Sequence, residues 1–140
     1  MPNFNDAEIT SLYVSEEGAV HDIQDDAPNA PGGGPFRVTL EMVAGGGVAG
    51  KYHLITTCSD LTDTKEAPAL NPGTPLNGIG DFGGAGWQPN GAPLTHSVFN
   101  KSVKVAAPKD KGHVYRYTAA LRHDNGQIVS IRQSDPFILL

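Results

Sequence analysis

A single cysteine, Cys58, stands among 140 residues, so no intrachain disulfide holds this fold and no cysteine cluster is available for a metal. Positive charge is also scarce: ten basic side chains face fifteen acidic ones, for a net charge of −5. No basic stripe exists, so the electrostatic term that drives nucleic-acid binding is missing, and anionic membrane surfaces are disfavoured for the same reason. No run approaches the roughly 20 apolar residues that a spanning helix needs. The opening "MPNFNDAEIT" lacks the basic start and apolar core of a secretory leader, so the expectation is a cytoplasmic protein or one exported by a non-classical route. No fixed period repeats along the chain, and apolar residues do not recur at helical spacing.

Glycine and proline are plentiful instead, at 17 and 11 residues, which suits short strands joined by turns. A chain of this length folds as one domain over 1–140 and can bury roughly 70% of its unfolded surface, so it needs no covalent staple. The clearest strand is "FRVTLEMVA" (36–44). Phe36, Val38, Leu40, Met42 and Ala44 fall on one face, and Arg37, Thr39 and Glu41 fall on the other, as in a sheet with one wet side. "KYHLITTC" (51–58) follows, with Tyr52, Leu54 and Cys58 on one face. Near the end, "HVYRYTAALRHDNGQIVSIRQ" reads as a hairpin. Tyr115, Tyr117, Ala119 and Leu121 alternate with polar residues, Asn125-Gly126 supplies the tight turn, and Val129 with Ile131 continues the apolar face. Weaker strands are 8–14 and 96–106; in the second, the alternation slips between Val98 and Val103, which predicts a bulge.

Two irregular segments interrupt this pattern. Residues 24–35 are polar and then Gly/Pro-rich, and predict an exposed connection. Residues 59–95 are more unusual. Between Ala67 and Pro93 lie seven glycines and five prolines but one charge, Asp81, with Leu70, Leu76, Ile79, Phe82 and Trp87 scattered among them. Unstructured linkers carry more charge and less aromatic surface, so the composition predicts an ordered loop that folds back on the body.

Two glycine-rich stretches imitate nucleotide motifs. In "GGGVAGKY" (45–52), Lys51 has the spacing of a phosphate loop, but Tyr52 replaces the hydroxyl that would hold magnesium, and "YHLITTC" favours strand over helix. The expectation is a glycine-rich hairpin loop. "GIGDFG" (78–83) has irregular chain on both sides, where a dinucleotide site needs a strand before and a helix after. The five histidines have no zinc-type helical spacing. Glu16, Glu17, Asp22, Asp25 and Asp26 lack the periodicity of a calcium loop and read as solvated surface. In "CSDLTD" (58–63), Asp60 and Asp63 read as turn caps and Cys58 as a buried small residue, with no base to activate it. Asn100-Lys101-Ser102 matches a glycosylation acceptor by coincidence in a chain read without a leader.

The stretch "GHVYRYTAALRHDNGQ" carries a tyrosine pair, an alternating strand, a Gly turn and a return strand ending near Ser134. It resembles the last two strands of immunoglobulin-like and fibronectin type III domains over roughly 30 residues, and the resemblance casts Tyr115 as the corner tyrosine whose hydroxyl ties a preceding loop to the strand. The chain departs from that pattern in its missing cysteine pair, its missing early tryptophan and its long 59–95 connection; a jelly roll is the alternative.

The expected fold is therefore a single antiparallel β-sandwich, Ig-like, of about seven or eight strands with one long ordered loop. The expected function is a non-catalytic protein-interaction or assembly module, without cofactor or metal, that meets a protein partner or another copy of itself. Ile79, Phe82, Trp87, Phe137, Ile138 and Leu139 are the candidate contact residues, being apolar where charge is usual. The alternative is a carbohydrate or small-ligand site with Trp87 and Phe82 as its platform.

Overall fold

A computed structural model describes residues 6–16, 36–89, 97–106, 112–124 and 128–138. The connection expected at 24–35, the Asn125-Gly126 turn, most of the acidic group at 16–26 and Leu139 lie outside them. The described residues form ten strands: β1 (Ala7–Glu16), β2 (Phe36–Ala44), β3 (Lys51–Asp60), β4 (Lys65–Glu66), β5 (Gly78–Asp81), β6 (Trp87–Pro89), β7 (Ser97–Val105), β8 (Val114–His123), β9 (Ile128–Gln133) and β10 (Phe137–Ile138). Among the described residues the one helical element is a 3₁₀ turn at Pro68–Leu70, and no helix there is long and apolar enough to cross a membrane.

Two antiparallel sheets pack face to face as a β-sandwich. The first has the order β1-β2-β7-β6. In the second, β8 and β3 are central; β9 and β10 both lie along the free side of β8, and β5 and β4 along the free side of β3. Period-two patterning explains the layers. Phe36, Val38, Leu40, Met42 and Ala44 of β2 are all buried, and so are Tyr52, Leu54, Thr56 and Cys58 of β3 and Tyr115, Tyr117, Ala119 and Leu121 of β8. Aromatic clusters fill the two ends of the core. At one end Phe137 stacks on Tyr117 at 5.7 Å and tilts against Phe36 and Tyr115; at the other, Trp87 meets Phe99 at 5.4 Å and Phe82 meets Tyr52 at 5.1 Å.

The long segment after β3 is packed against its own sheet, and its asparagines explain how. Between the short pairings with β5 and β4, the free edge of β3 is met by side chains in place of a strand. Asn77 accepts from the Thr56 N–H (3.0 Å) and donates to the Thr56 carbonyl (2.7 Å), while Asn71 accepts from the Cys58 N–H (2.8 Å). The Thr56 hydroxyl donates to the Leu76 carbonyl and the Tyr117 hydroxyl to the Leu70 carbonyl, while Leu70 and Leu76 are buried. A bare sheet edge is thereby capped without a continuous strand. A hydroxyl-to-loop tie of the kind expected of Tyr115 is made by Tyr117.

Three local expectations are corrected. The 45–50 loop is no hairpin between paired strands: β2 and β3 belong to different sheets, and the loop crosses between them. β7 pairs with β2 in unbroken register from Phe36↔Val105 to Ala44↔Ser97, so it holds no bulge; Lys101, not a kink, breaks its apolar pattern. A bulge does occur between β8 and β9, at Leu121/Arg122. It shifts the parity of β9, so that Val129 packs against the core while Ile131 falls outside and is 59% exposed.

Candidate functional site

The outer face of the second sheet carries exposed aliphatics where polar side chains are usual. Cross-strand register places Ile55 of β3 opposite Ala120 of β8, and Ala120 opposite Ile131 of β9, so the three form one row across the sheet. Ile55 is 51% exposed and Ile131 59%. Ile79 of β5, opposite His53, is a diagonal neighbour of Ile55 and is 63% exposed. The next row, Thr57–Thr118–Gln133, is polar, with Gln133 donating to the Thr118 hydroxyl at 3.4 Å. Arg122 lies one outward position along β8 from Ala120, and Arg116 two positions the other way. Neither guanidinium makes a hydrogen bond or ion pair with a described residue, and the Nε of each is closed off from solvent without an acceptor.

The sequence candidates divide against this surface. Ile79 is on it. Phe82, Trp87 and Phe137 are core residues, 8%, 5% and 5% exposed, because each closes one end of the sandwich through the aromatic clusters above. Trp87 also directs its Nε1–H toward the Tyr52 hydroxyl at 3.4 Å, so its polar handle is used internally. Ile138 is exposed on the short β10, away from the isoleucine row. Ile55, Ala120, Ile131, Arg116 and Arg122 were not among the candidates. Ile55 did carry a signal, since it is apolar on the polar side of its own strand; Ile131 carried none, because the bulge that exposes it is not written in the alternation.

The two glycine-rich stretches meet at one corner. Gly50 (φ +95°) accepts the Phe82 N–H through its carbonyl, and Lys51 pairs with Asp81 at 3.5 Å, both side chains exposed. Strand, not helix, follows each, so neither presents the helix N-terminus that a phosphate site uses. Gly80 has a packing reason: a Cβ there would fall 2.5 Å from the Tyr52 hydroxyl oxygen. Beside this corner opens a cleft of about 560 Å³, lined by Tyr52, Thr74, Ile79, Asp81, Phe99 and Lys101 among others. Lys101 is opposite Leu40 and so shares the core-facing side of the first sheet with Phe99 and Val103, reaching water through the cleft.

One titratable cluster sits at the far end of β3. Asp60 Oδ1 accepts the N–H groups of Thr62 and Asp63, and Oδ2 lies 2.8 Å from His113 Nδ1; Asp63 Oδ2 is 3.8 Å from the same nitrogen and 3.5 Å from Lys65 Nζ. Burial opposes the Asp60 charge, but the His113 contact and the two N–H donors outweigh it and hold the carboxyl below its ordinary range. Asp60, Asp63 and His113 are the described residues whose ligand atoms converge closely enough for a cation, within 4.8 Å of one another. The hydrogen bonds around Asp60 make it a turn cap, as the sequence suggested. Burial first of all, then the nearby Asp60 charge, pushes the Cys58 thiol up to about 12 against the partial relief of hydrogen bonds, which favours the protonated thiol at neutral pH. Burial likewise raises the Tyr117 phenol above its ordinary value.

No family model matches the chain, and no curated protein sequence matches it either. Function must therefore be argued from the geometry.

Proposed function

We propose that this protein is a non-catalytic protein-interaction module with an Ig-like fold, and that it docks a protein partner on the outer face of its second sheet. The row Ile55–Ala120–Ile131, extended by Ile79, carries this reading. Isolated exposed aliphatics are ordinary; three half-exposed isoleucines sharing one flat sheet face are what an interaction surface provides. The strand order supports the Ig-like part. β1-β2-β7-β6 against β9/β10-β8-β3-β4/β5 follows the two sheets of a constant-type immunoglobulin domain with one edge strand added, and this ranks the jelly roll second. The protonated Cys58 and the structural use of Asp60 and His113 support the non-catalytic part.

A photo-crosslinking residue placed at position 131, compared with one at the exposed position 104 on the first sheet, tests this in the native host. A discrete adduct from 131 that is absent from 104 and lost in Ile55→Glu is expected. Equal labelling from both positions, or none from 131, counts against the docking face.

Lys101 in the cleft favours a second reading, a site for a small anionic or hydroxylated ligand. It moves the ligand alternative away from Trp87 and Phe82, which are buried, and leaves Trp87 beneath the cleft as a reporter. Intrinsic fluorescence across a panel of sugars and small carboxylates should then respond in the parent and not in Lys101→Met; a silent parent removes this reading.

A further inference from the structure

We infer that the partner is a second copy of this chain, laid face to face about a two-fold axis that runs along the row Ile55–Ala120–Ile131, so that β8 lies antiparallel on β8 of the copy. This rests on the docking face proposed above and names what occupies it. The charges of the face are of both signs. Lys51, Asp81 and Asp124 stand at one end, Arg116 and Glu66 at the other, and Arg122 between them. Asp124 follows β8 directly and keeps to the outer side, with its carboxylate 3.8 Å from His53 Nε2. A face of one sign repels its own copy; a face with opposite signs on either side of an apolar centre can answer itself.

Spacing along β8 selects the arrangement. Its outward residues run Arg116, Thr118, Ala120, Arg122, and Asp124 comes next. Arg116 and Asp124 lie equally far from Ala120 on either side, about 13 Å each way. A half-turn about the isoleucine row therefore brings Arg116 opposite Asp124 of the copy, and Asp124 opposite Arg116 of the copy. The same turn sets Ile55 on Ile55 and Ile131 on Ile131, with the small Ala120 at the centre. Arg122 meets Thr118, and Lys51 meets Ser59. Asp81 meets Glu66 at the rim, where both are exposed and Lys51 lies 3.5 Å from Asp81 to temper the repulsion. A half-turn about β8 itself would instead set Arg116 against Arg116 and Asp124 against Asp124, so charge favours the first axis. From Arg116 to Asp124 the face runs about 27 Å, and its four strands span about 19 Å, so pairing covers about 1,000 Å² over the two copies. That is near the lower limit of a specific interface, and makes the dimer weak and reversible.

Sedimentation equilibrium of the full chain, from micromolar to millimolar concentration, tests the inference. The mean mass should rise toward twice that of one chain. Ile131→Glu should weaken the dimer about tenfold or more. Arg116→Asp and Asp124→Arg should each weaken it about tenfold, and an equimolar mixture of those two variants should recover the parent's mass, because each supplies the charge the other lacks. Recovery in the mixture also shows that both variants are folded, and Arg116→Gln gives a milder change should reversal at that half-buried position perturb folding. A chain that stays monomeric throughout overturns the inference, and the crosslink from position 131 to another protein then decides whether the docking face stands. A dimer indifferent to Ile131→Glu overturns the inference as well. A dimer lost in Ile131→Glu but unmoved by the charge variants and their mixture overturns this pairing and leaves the docking face standing.

Discussion

Arg37 on the outer face of the first sheet and Arg116 and Arg122 on that of the second are the same side chain in the same kind of position, with opposite fates. Arg37 donates from Nε to the Ser102 hydroxyl at 2.8 Å and from Nη2 to the Ser102 carbonyl at 3.1 Å, and Thr39 donates to that same hydroxyl. Around them the first face is satisfied from within. Ser11, Tyr13, Ser15 and Thr39 are buried, Thr10 donates to the Glu41 carbonyl, and Asn100 donates to the Glu41 carboxylate. The second face leaves three isoleucines half exposed and the Nε of two arginines without an acceptor among the described residues. A surface whose arginine is answered internally gains less from a partner than one that exposes aliphatics beside donors without an acceptor among the described residues.

Truncation should separate the faces most sharply. Tyr13→Ala, on the buried outer side of β1, is expected to cost about 3 kcal/mol, whereas Ile131→Ala should stay within about 0.5 kcal/mol. Urea unfolding of both variants checks the contrast, and equal losses would break it. The arginines come next. Arg37→Ala should lose about 1.5–3 kcal/mol with its two charge-assisted hydrogen bonds, while Arg122→Ala should be neutral or slightly stabilising because it removes an unanswered donor. A loss at Arg122 as large as at Arg37 would mean that the second face is satisfied in solution after all.

The smallest effect concerns the end of β3, away from both faces. The Asp60 carboxyl is held below its unfolded value, so it contributes stability above the ordinary carboxylate pKa of about 3.9 and loses it as pH falls from there through the folded value. Asp60→Asn should therefore flatten the acid limb of stability against pH and leave the slope near neutrality unchanged. Urea midpoints measured from acid to neutral pH would reveal an unaltered acid limb if the cap were unimportant.

The legible part of this molecule was its layering. The alternation in 36–44 and in 115–121 placed the core faces of β2 and β8 correctly, and the composition between Ala67 and Pro93, with one charge and two aromatics, foretold a packed segment, as its described part up to Pro89 is. The contact residues were less legible, for a physical reason that Phe82, Trp87 and Phe137 illustrate. An aromatic in a glycine-rich loop or at a strand end looks the same in sequence whether it plugs the sandwich or faces a partner, because burial depends on what arrives from elsewhere in the chain. Asn71 and Asn77, which the sequence reading did not single out, stand in for a strand along the middle of β3.

By itself the sequence determined which side of β2, β3 and β8 is apolar, since side chains alternate at every residue and water sorts the two faces. Only the tertiary structure decided which outward residues share a surface. Ile55, Ala120 and Ile131 come from three strands, and their alignment depends on the pairing register and on one bulge at Leu121/Arg122. Register is a property of two strands together, and a shift of a single residue turns a core side chain into a surface one.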